Sequence, residues 1–324
     1  RTIFQLEADR LQNLAFDAEA VESERGVISN ERSRFIDNDD FGRLYEQVRA
    51  TAYLAHPYQF PIIGWPSDIE GWTQDDLESY FKTYYAPNNL TMVFAGSVSP
   101  EEIFVLAETY LAPIPAQAPP PPVRTVEPPQ LGERRLLVEA DTQAPLLHIA
   151  FHAGRAADPE TQHMHLLLKI LADGSSSRLH RLLVEDEQLA LSVSGMQMEG
   201  FDPGLVYLYL TLAPDADIDV VESRVREELS RVATEGITEA ELKKARNIVL
   251  ANFWRGLATI DGKASALGHF EVFTGSFENL FSVPEEINAI TAEQVRAVAA
   301  QVFRENNMTV GVLRAPGDST GASR

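Results

Sequence analysis

Residues 65–92 read WPSDIEGWTQDDLESYFKTYYAPNNLTM, and residues 283–310, VPEEINAITAEQVRAVAAQVFRENNMTV, repeat them at a constant offset without a gap. The positions identical in both copies are Pro66, Ile69, Thr73, Asn88, Asn89 and Thr91, which recur as Pro284, Ile287, Thr291, Asn306, Asn307 and Thr309. Each copy predicts a helix with a threonine N-cap, then an Asn-Asn turn, then a strand. Self-similarity over this length indicates a tandem duplication.

A second pair of segments extends the repeat upstream at a slightly larger offset. Asp17 to Val21 matches Thr238 to Leu242, and Arg25 matches Arg246. We therefore predict an α+β protein made of two copies of one domain, each a mostly antiparallel sheet covered by helices. The strands predicted near Leu136 have no counterpart in the first copy. We expect the first copy to lack its N-terminal part, about 85 residues before Arg1 by the repeat spacing.

A proline-rich segment containing PAQAPPPP separates the two copies. Such a composition favours an extended linker. The predicted organisation is therefore residues 1–115 as the C-terminal portion of the first domain, residues 116–132 as the linker, and residues 133–324 as the second domain.

Composition excludes several classes of function. The 324 residues carry a formal net charge of −21, which argues against nucleic acid as the main partner. The chain has no cysteine, so disulfides, thiolate metal sites and cysteine nucleophiles are excluded. No apolar run approaches the length of a membrane span. No G-x-S-x-G, P-loop or Rossmann fingerprint is present.

Two carboxylates stand out in residues 20–35, AVESERGVISNERSRF, where Asp17 is the predicted N-cap of a helix. At ~100° per residue, Val21, Ile28 and Phe35 form one apolar stripe that is expected to face the core. Glu24 and Glu31 are seven residues apart and fall inside this stripe.

A carboxylate turned towards a core must be paired, protonated or bound to a cation. One interpretation is that Glu24 and Glu31 pair with Arg25, Arg32 or Arg34. The other is a metal-binding or catalytic carboxylate with a second one supporting it. The repeat favours the second interpretation, since the equivalent positions in the other copy are Ala245 and Asn252.

The seven histidines show no pair at helical i, i+4 spacing of the kind that binds zinc. His148 and His152 share one face of a predicted strand, whereas His163 and His165 diverge on a helix. We interpret all four as core or surface residues.

The ordered runs EADRLQNLAF, ESERGVISNER and HPYQFPIIGWPSDIEGWTQDDLESYFKTYYAPNNLTMVFAG resemble the pitrilysin/insulinase family of zinc peptidases, whose bacterial members similar to mitochondrial processing peptidase match best. GSSSRLHRLLVEDEQLALSV and ITEAELKKARNIVLANF resemble the second half of that family. In this family two histidines of an inverted H-x-x-E-H motif and a later glutamate hold zinc. The later motif, E-R-x-V-x-x-E, covers residues 24–31. The resemblance thus implies that Glu31 is a Zn²⁺ ligand and that Glu24 orients a histidine ligand.

The H-x-x-E-H motif is absent from the sequence, and by family spacing it is expected upstream of Arg1, as the counterpart of Ser176 to His180. The resemblance implies a zinc-dependent endopeptidase that cleaves unfolded peptides, of which the given chain is an incomplete, inactive part. The expected compartment is the bacterial periplasm, with the cytoplasm as alternative. The competing interpretation is a non-catalytic scaffold subunit of a peptidase or respiratory complex. An acidic binding module unrelated to peptidases is a third.

One departure from the family concerns peptide binding. Active members carry an arginine and a tyrosine after the S-R-L segment, where this chain has Val184 and Leu191. The chain is either a weak or inactive peptidase, or a zinc subunit whose homologous partner supplies the Arg and Tyr. We favour a heterodimer of the second kind, with self-association as the other arrangement.

Overall fold

The computed structural model describes residues 1–317, which form two compact units. Unit 1 consists of Arg1–Ser33, Ile62–Arg124 and Gly256–Phe277, and unit 2 of Arg34–Pro61, Thr125–Arg255 and the chain from Glu278. The α-helices are α1 (Thr2–Asn13), α2 (Ala18–Arg32), α3 (Asp40–Ala52), α4 (Pro66–Gly71), α5 (Gln74–Tyr84), α6 (Pro100–Tyr110), α7 (Glu160–Leu171), α8 (Arg178–His180), α9 (Ile218–Glu235), α10 (Glu239–Gly256), α11 (Ile260–Thr274), α12 (Asn279–Ala289) and α13 (Ala292–Val302). The strands are β1 (Arg134–Glu139), β2 (Leu146–His152), β3 (Ala190–Gln197), β4 (Leu205–Leu212) and β5 (Met308–Arg314).

Unit 2 is built on one sheet with the strand order β1-β5-β2-β4-β3. The β1–β5 pair is parallel and the other neighbouring strands are antiparallel. This arrangement confirms the predicted α+β class with a mostly antiparallel sheet. Central strands β2 and β4 are almost wholly buried, as their continuous apolar sequences require.

Helices cover both faces of this sheet. Because side chains alternate along a strand, His148 and Tyr209 point to one face, where α3 packs through the fully buried Leu44 and Val48. On the opposite face Gly195 of β3 lies beneath α7, and a Cβ built on it would be 2.9 Å from Cδ2 of Leu168. Helix α3 thus covers one face of the sheet and α7 the other.

Unit 1 is helical within its described residues. Helices α1 and α6 pack through Ala8, Leu11 and the nearby Ile114, and Phe4 stacks on Phe94 with ring centroids 5.1 Å apart. The strand predicted after the first Asn-Asn turn is wrong: residues 90–95 are not part of a sheet within the described residues. Its counterpart, β5, lies between β1 and β2, and the described residues of unit 1 offer no such neighbours for backbone pairing.

The repeat is visible in matching arginine contacts. In unit 1, Arg25 donates to the carbonyl oxygens of Ile69 and Trp72. In unit 2, Arg246 donates to Ile287 O at 3.1 Å and to Ile290 O at 2.7 Å. The two arginines are equivalent in the sequence repeat, and so are their acceptors, which confirms the alignment read from the sequence.

The turn before the repeated strand segment is also duplicated. Nδ2 of Asn89 donates to Tyr84 O at 2.9 Å, and Nδ2 of Asn307 donates to Val302 O at 2.9 Å. Thr73 and Thr291 each cap a helix through a reciprocal capping box. These local contacts explain why the paired asparagines and the threonines recur.

The compact units do not coincide with the two sequence repeats. Helix α3 follows α2 in the chain but belongs to unit 2, and α11 follows α10 but belongs to unit 1. The predicted boundaries at residues 115 and 133 describe the sequence repeat and stay a prediction.

Candidate metal centre

Helix α2 presents the two predicted site carboxylates. Asp17 caps it by accepting hydrogen bonds from the backbone N–H groups of Glu19 and Ala20 at 3.0 and 3.1 Å. Glu24 and Glu31 lie about 10 Å apart along one side of the helix, at about 1.5 Å rise per residue. Both are exposed to solvent.

The predicted core-facing stripe on α2 is wrong for the described structure. Of the stripe residues, Val21 and Ile28 are only partly buried and Phe35 is 55% exposed, whereas the buried residue of α2 is Arg32. In unit 2, by contrast, Ala245 is buried in a cleft that Ile170 also lines. The described part of unit 1 has no counterpart of α7 and α8, so the corresponding face of α2, with Glu24 and Glu31, is open.

The three arginines proposed as partners of these glutamates are engaged elsewhere. Arg25 pairs with Glu22 at 3.0 Å and lies over the Trp72 ring at 4.0 Å. Arg32 donates to Gly64 O at 2.9 Å. The Arg34 guanidinium lies 5.2 Å from the ring of its neighbour Phe35. Within residues 1–317 neither Glu24 nor Glu31 forms an ion pair, which leaves both carboxylates available to a ligand.

The described residues do not by themselves complete a metal site. Residues 1–317 contain no group of three or more His, Cys, Asp or Glu side chains that could hold an ion. A catalytic zinc takes three protein ligands and an exchangeable fourth position. Glu31 can offer one carboxylate oxygen, a donor that zinc accepts, which is fewer than the three protein ligands of such a site.

The structure places His148 in the core and leaves His152 partly buried. His148 is fully buried, with its ring centroid 4.8 Å from those of Phe41 and Tyr209, and burial lowers its pKa to about 3. Nε2 of His152 donates to Ala52 O at 2.8 Å, and burial lowers its pKa.

A polar cluster in unit 2 escaped sequence analysis. Glu127, from the predicted linker, accepts hydrogen bonds from three successive backbone N–H groups, those of Leu54, Ala55 and His56, at 2.7–2.9 Å. Burial raises the pKa of Glu127, but these three donors outweigh it and hold that pKa below its usual value. Nε2 of His56 lies 3.3 Å from Asp202, beside a pocket of about 450 Å³. Since these residues are distant in sequence, no local spacing could have revealed them.

Val184 and Leu191, which stand where the family carries Arg and Tyr, belong to unit 2, whereas Glu31 belongs to unit 1. Val184 is partly buried in a π-helical turn, Arg181–Asp186, and Leu191 is 57% exposed. Leu191 belongs to β3, an edge strand, at an irregularity between Ala190 and Ser192.

A family model described as "Peptidase M16 inactive domain" matches residues 71–249, more than half of the chain. The chain belongs to the peptidase M16 family. This is the pitrilysin/insulinase family that the sequence resembles, so the recognition made from its motifs is confirmed.

Known M16-related proteins cover almost the whole chain. The "Zinc protease PqqE" of Helicobacter pylori is 25% identical over 318 residues, covering 96% of this chain and 70% of that protein. The "Probable mitochondrial-processing peptidase subunit beta" of Schizosaccharomyces pombe is 27% identical over 317 residues, covering 94% and 69%. The crystal structure of a protease from Helicobacter pylori superposes with a TM-score of 0.90 at 24% identity, covering 97% of this chain and 76% of that one, and supports the fold. No helix within residues 1–317 is long and apolar enough to cross a membrane.

Proposed function

We propose that this M16 chain is part of a zinc-dependent endopeptidase, in which Glu31 is a zinc ligand and Glu24 orients a histidine ligand. The observation that carries the proposal is the pair of exposed glutamates on one face of α2, neither of which forms an ion pair within residues 1–317. The duplicated helix α10 has Ala245 and Asn252 at these positions, although it keeps the neighbouring arginine. A helix that needed the carboxylates only for its own stability would have no reason to differ in this way.

The distance between Glu24 and Glu31 along α2 allows the two glutamates to have different roles. Two helical turns separate them, so one can bind an ion directly while the other hydrogen-bonds a neighbouring ligand of that ion. The remaining ligands are proposed to come from an H-x-x-E-H segment. Bound zinc supplies a Lewis acid that lowers the pKa of a coordinated water. The contribution of this chain is an oxygen ligand and negative charge held on a helix with capped N-terminal amides.

The proposed substrate is an unfolded peptide, which can add as a strand to a sheet edge. The proposed partner is a homologous subunit that carries the Arg and Tyr missing at Val184 and Leu191, or a second copy of this chain. The relative named as a processing-peptidase beta subunit supports a subunit role. The bacterial periplasm is the proposed compartment.

The test uses protein that contains an H-x-x-E-H segment together with this chain. Glu31→Gln should abolish zinc retention and peptide hydrolysis, because a neutral amide is a poor zinc ligand. Glu24→Gln should weaken both by roughly 10–100-fold, as loss of a group that orients a metal ligand typically does. Bound zinc is measured by elemental analysis and hydrolysis with a quenched fluorescent peptide.

Asn252→Ala is the matched control, because it changes the position equivalent to Glu31 in the other repeat. It should leave both readouts intact. Wild-type zinc content and activity in Glu31→Gln would refute the assignment of the ligand.

A non-catalytic scaffold subunit is the second candidate function. It is favoured by the apolar side chains at Val184 and Leu191 and by the description of the matching family model as an inactive domain. Zinc content decides between the two: stoichiometric zinc lost in Glu31→Gln supports the peptidase subunit, and wild-type protein without zinc supports the scaffold.

A further inference from the structure

Helices α3 and α11 are equivalent in the repeat but lie in opposite units. Each has a glycine whose backbone N–H donates to the capping side chain three residues earlier: Gly42 to Asp39 at 2.7 Å and Gly262 to Thr259 at 3.0 Å. A Cβ on either glycine would overlap a backbone carbonyl oxygen of the preceding segment. These paired constraints fix the alignment of α3 with α11, in which Gly42 corresponds to Gly262.

In unit 2, α3 crosses β5 at a glycine. Val48 is fully buried, and a Cβ built on Gly311 would overlap its Cγ2 atom. The same Cβ would come within 3.1 Å of Cδ1 of Leu44. In this contact the valine lies on the helix, and the absence of a side chain at Gly311 on the strand leaves room for it.

In unit 1, the equivalent contact has the opposite arrangement. The residue of α11 equivalent to Val48 is Gly268, and the residue equivalent to Gly311 is Val93. A Cβ built on Gly268 would lie 3.4 Å from Cγ2 of Val93. Here the valine lies on residues 90–95 and the glycine on the helix; a Cβ alone would make an ordinary contact with Val93, whereas a longer side chain such as valine would press against it.

We propose that these two pairs, Val48 with Gly311 and Val93 with Gly268, form a matching code: a valine on one element must face a glycine on the other. This requirement makes each unit accept the helix of the other sequence repeat. If α3 docked on its own repeat, Val48 would face Val93, and two branched side chains would compete for one space. If α11 docked on its own repeat, Gly268 would face Gly311 and leave a void where Val48 now packs. Each helix fits only the surface of the opposite repeat, so the code selects the exchanged arrangement.

The code can be tested with two composition-neutral double variants of the full chain. The helix pair, Val48→Gly with Gly268→Val, mismatches both contacts. The strand pair, Val93→Gly with Gly311→Val, mismatches them as well. Each should lower the melting temperature by roughly 5 °C or more. Combining all four substitutions restores a valine opposite a glycine in both units, and should be more stable than either double variant.

Each double variant is the matched control of the other, because both exchange one valine for glycine and one glycine for valine. Amide hydrogen exchange in α3 and α11 provides a second readout: protection should fall in the double variants and recover in the fourfold variant. If a double variant fails to fold, the milder pair Val48→Ala and Gly311→Ala replaces it, and the combined variant should be destabilised by less than the sum of the two single effects. A fourfold variant no more stable than either double variant, or additive alanine effects, overturns the proposal.

Discussion

His148 is a titratable side chain placed in an apolar core. It lies on β2 against Phe41 and Tyr209, and neither ring nitrogen has a hydrogen-bond partner among residues 1–317. A neutral imidazole is tolerated there, but a charged one is not, because burial penalises the ion. The consequence is a core whose stability depends on pH.

We predict that His148→Leu makes the stability of the protein less dependent on pH. The unfolded chain gains a proton on this histidine below its ordinary pKa of 6.5, whereas the folded chain resists protonation down to a pKa of about 3. The free energy of unfolding of the wild-type protein therefore decreases as the pH is lowered through this window, by at most about 1.4 kcal/mol per pH unit for this group. The variant should lose that part of the slope. Urea unfolding at pH 7.5 and pH 5 measures it, and parallel slopes in the two proteins would contradict the argument.

Local residue roles could be predicted from the sequence. Asp17, Thr73 and Thr291 cap helices as expected, because a cap depends on the next few backbone N–H groups. The exposure of Glu24 and Glu31 could not be predicted in the same way. Periodicity shows which residues share a helix face, but what covers that face is a matter of tertiary structure.

Among the helices, two equivalent arginines make the same hydrogen bonds in the two sequence repeats. Arg25 and Arg246 each tie a long helix to two carbonyl groups at the end of a following helix. The last carbonyl groups of a helix have no intrahelical donor, so a guanidinium at a helix end can satisfy groups that would otherwise lack a partner. A planar side chain with several donors can satisfy two acceptors in this way.

We predict that Arg246→Lys destabilises unit 2 by roughly 1–3 kcal/mol, because a lysine has no planar fork with which to reach both Ile287 O and Ile290 O. Arg255→Lys is the matched control, since the side chain of Arg255 makes one exposed hydrogen bond within residues 1–317, to Asn252. It should change stability by less than about 0.5 kcal/mol. Urea unfolding measures the stability of both variants. Equal losses would show that the two hydrogen bonds of Arg246 to Ile287 O and Ile290 O do not stabilise the fold.

Helices were more predictable than strands. Residues 90–95 carry the same signals as β5, yet only β5 has strands on both sides. A helix satisfies its backbone within one segment, whereas a strand depends on neighbours that can be remote in sequence or absent from the described residues. The strand prediction failed for that reason.

At the scale of the whole molecule, duplication was readable from the sequence but helix exchange was not. The constant offset between the two copies reveals equivalent positions without any coordinates. Which unit receives α3 or α11 depends on contacts such as Val48 with Gly311, which join residues far apart in the chain. The proposed metal centre has the same character, because Glu31 is singled out by a motif, whereas residues 1–317 contain no group of three or more potential metal ligands.

The last prediction concerns division of catalytic labour, and rests on the proposed function. Val184 and Leu191 place apolar side chains where the family resemblance implies a cation and a phenol that bind the peptide. A zinc subunit alone should therefore cleave peptides poorly, because binding energy near the scissile bond is missing and transition-state stabilisation falls with it. Introducing Val184→Arg and Leu191→Tyr should raise kcat/KM, by about tenfold for each ~1.4 kcal/mol of transition-state binding restored.

The matched control is Ser194→Tyr, which adds a phenol at another exposed position of the same edge strand β3. The assay compares wild-type protein, the Arg/Tyr double variant and the control, each containing the H-x-x-E-H segment, with and without a homologous subunit that carries Arg and Tyr. A homologous subunit should rescue wild-type protein strongly and the double variant less, because the double variant already has the missing groups. Full activity of wild-type protein alone, unchanged by the partner, would mean that one subunit is sufficient and that peptide binding relies on other residues.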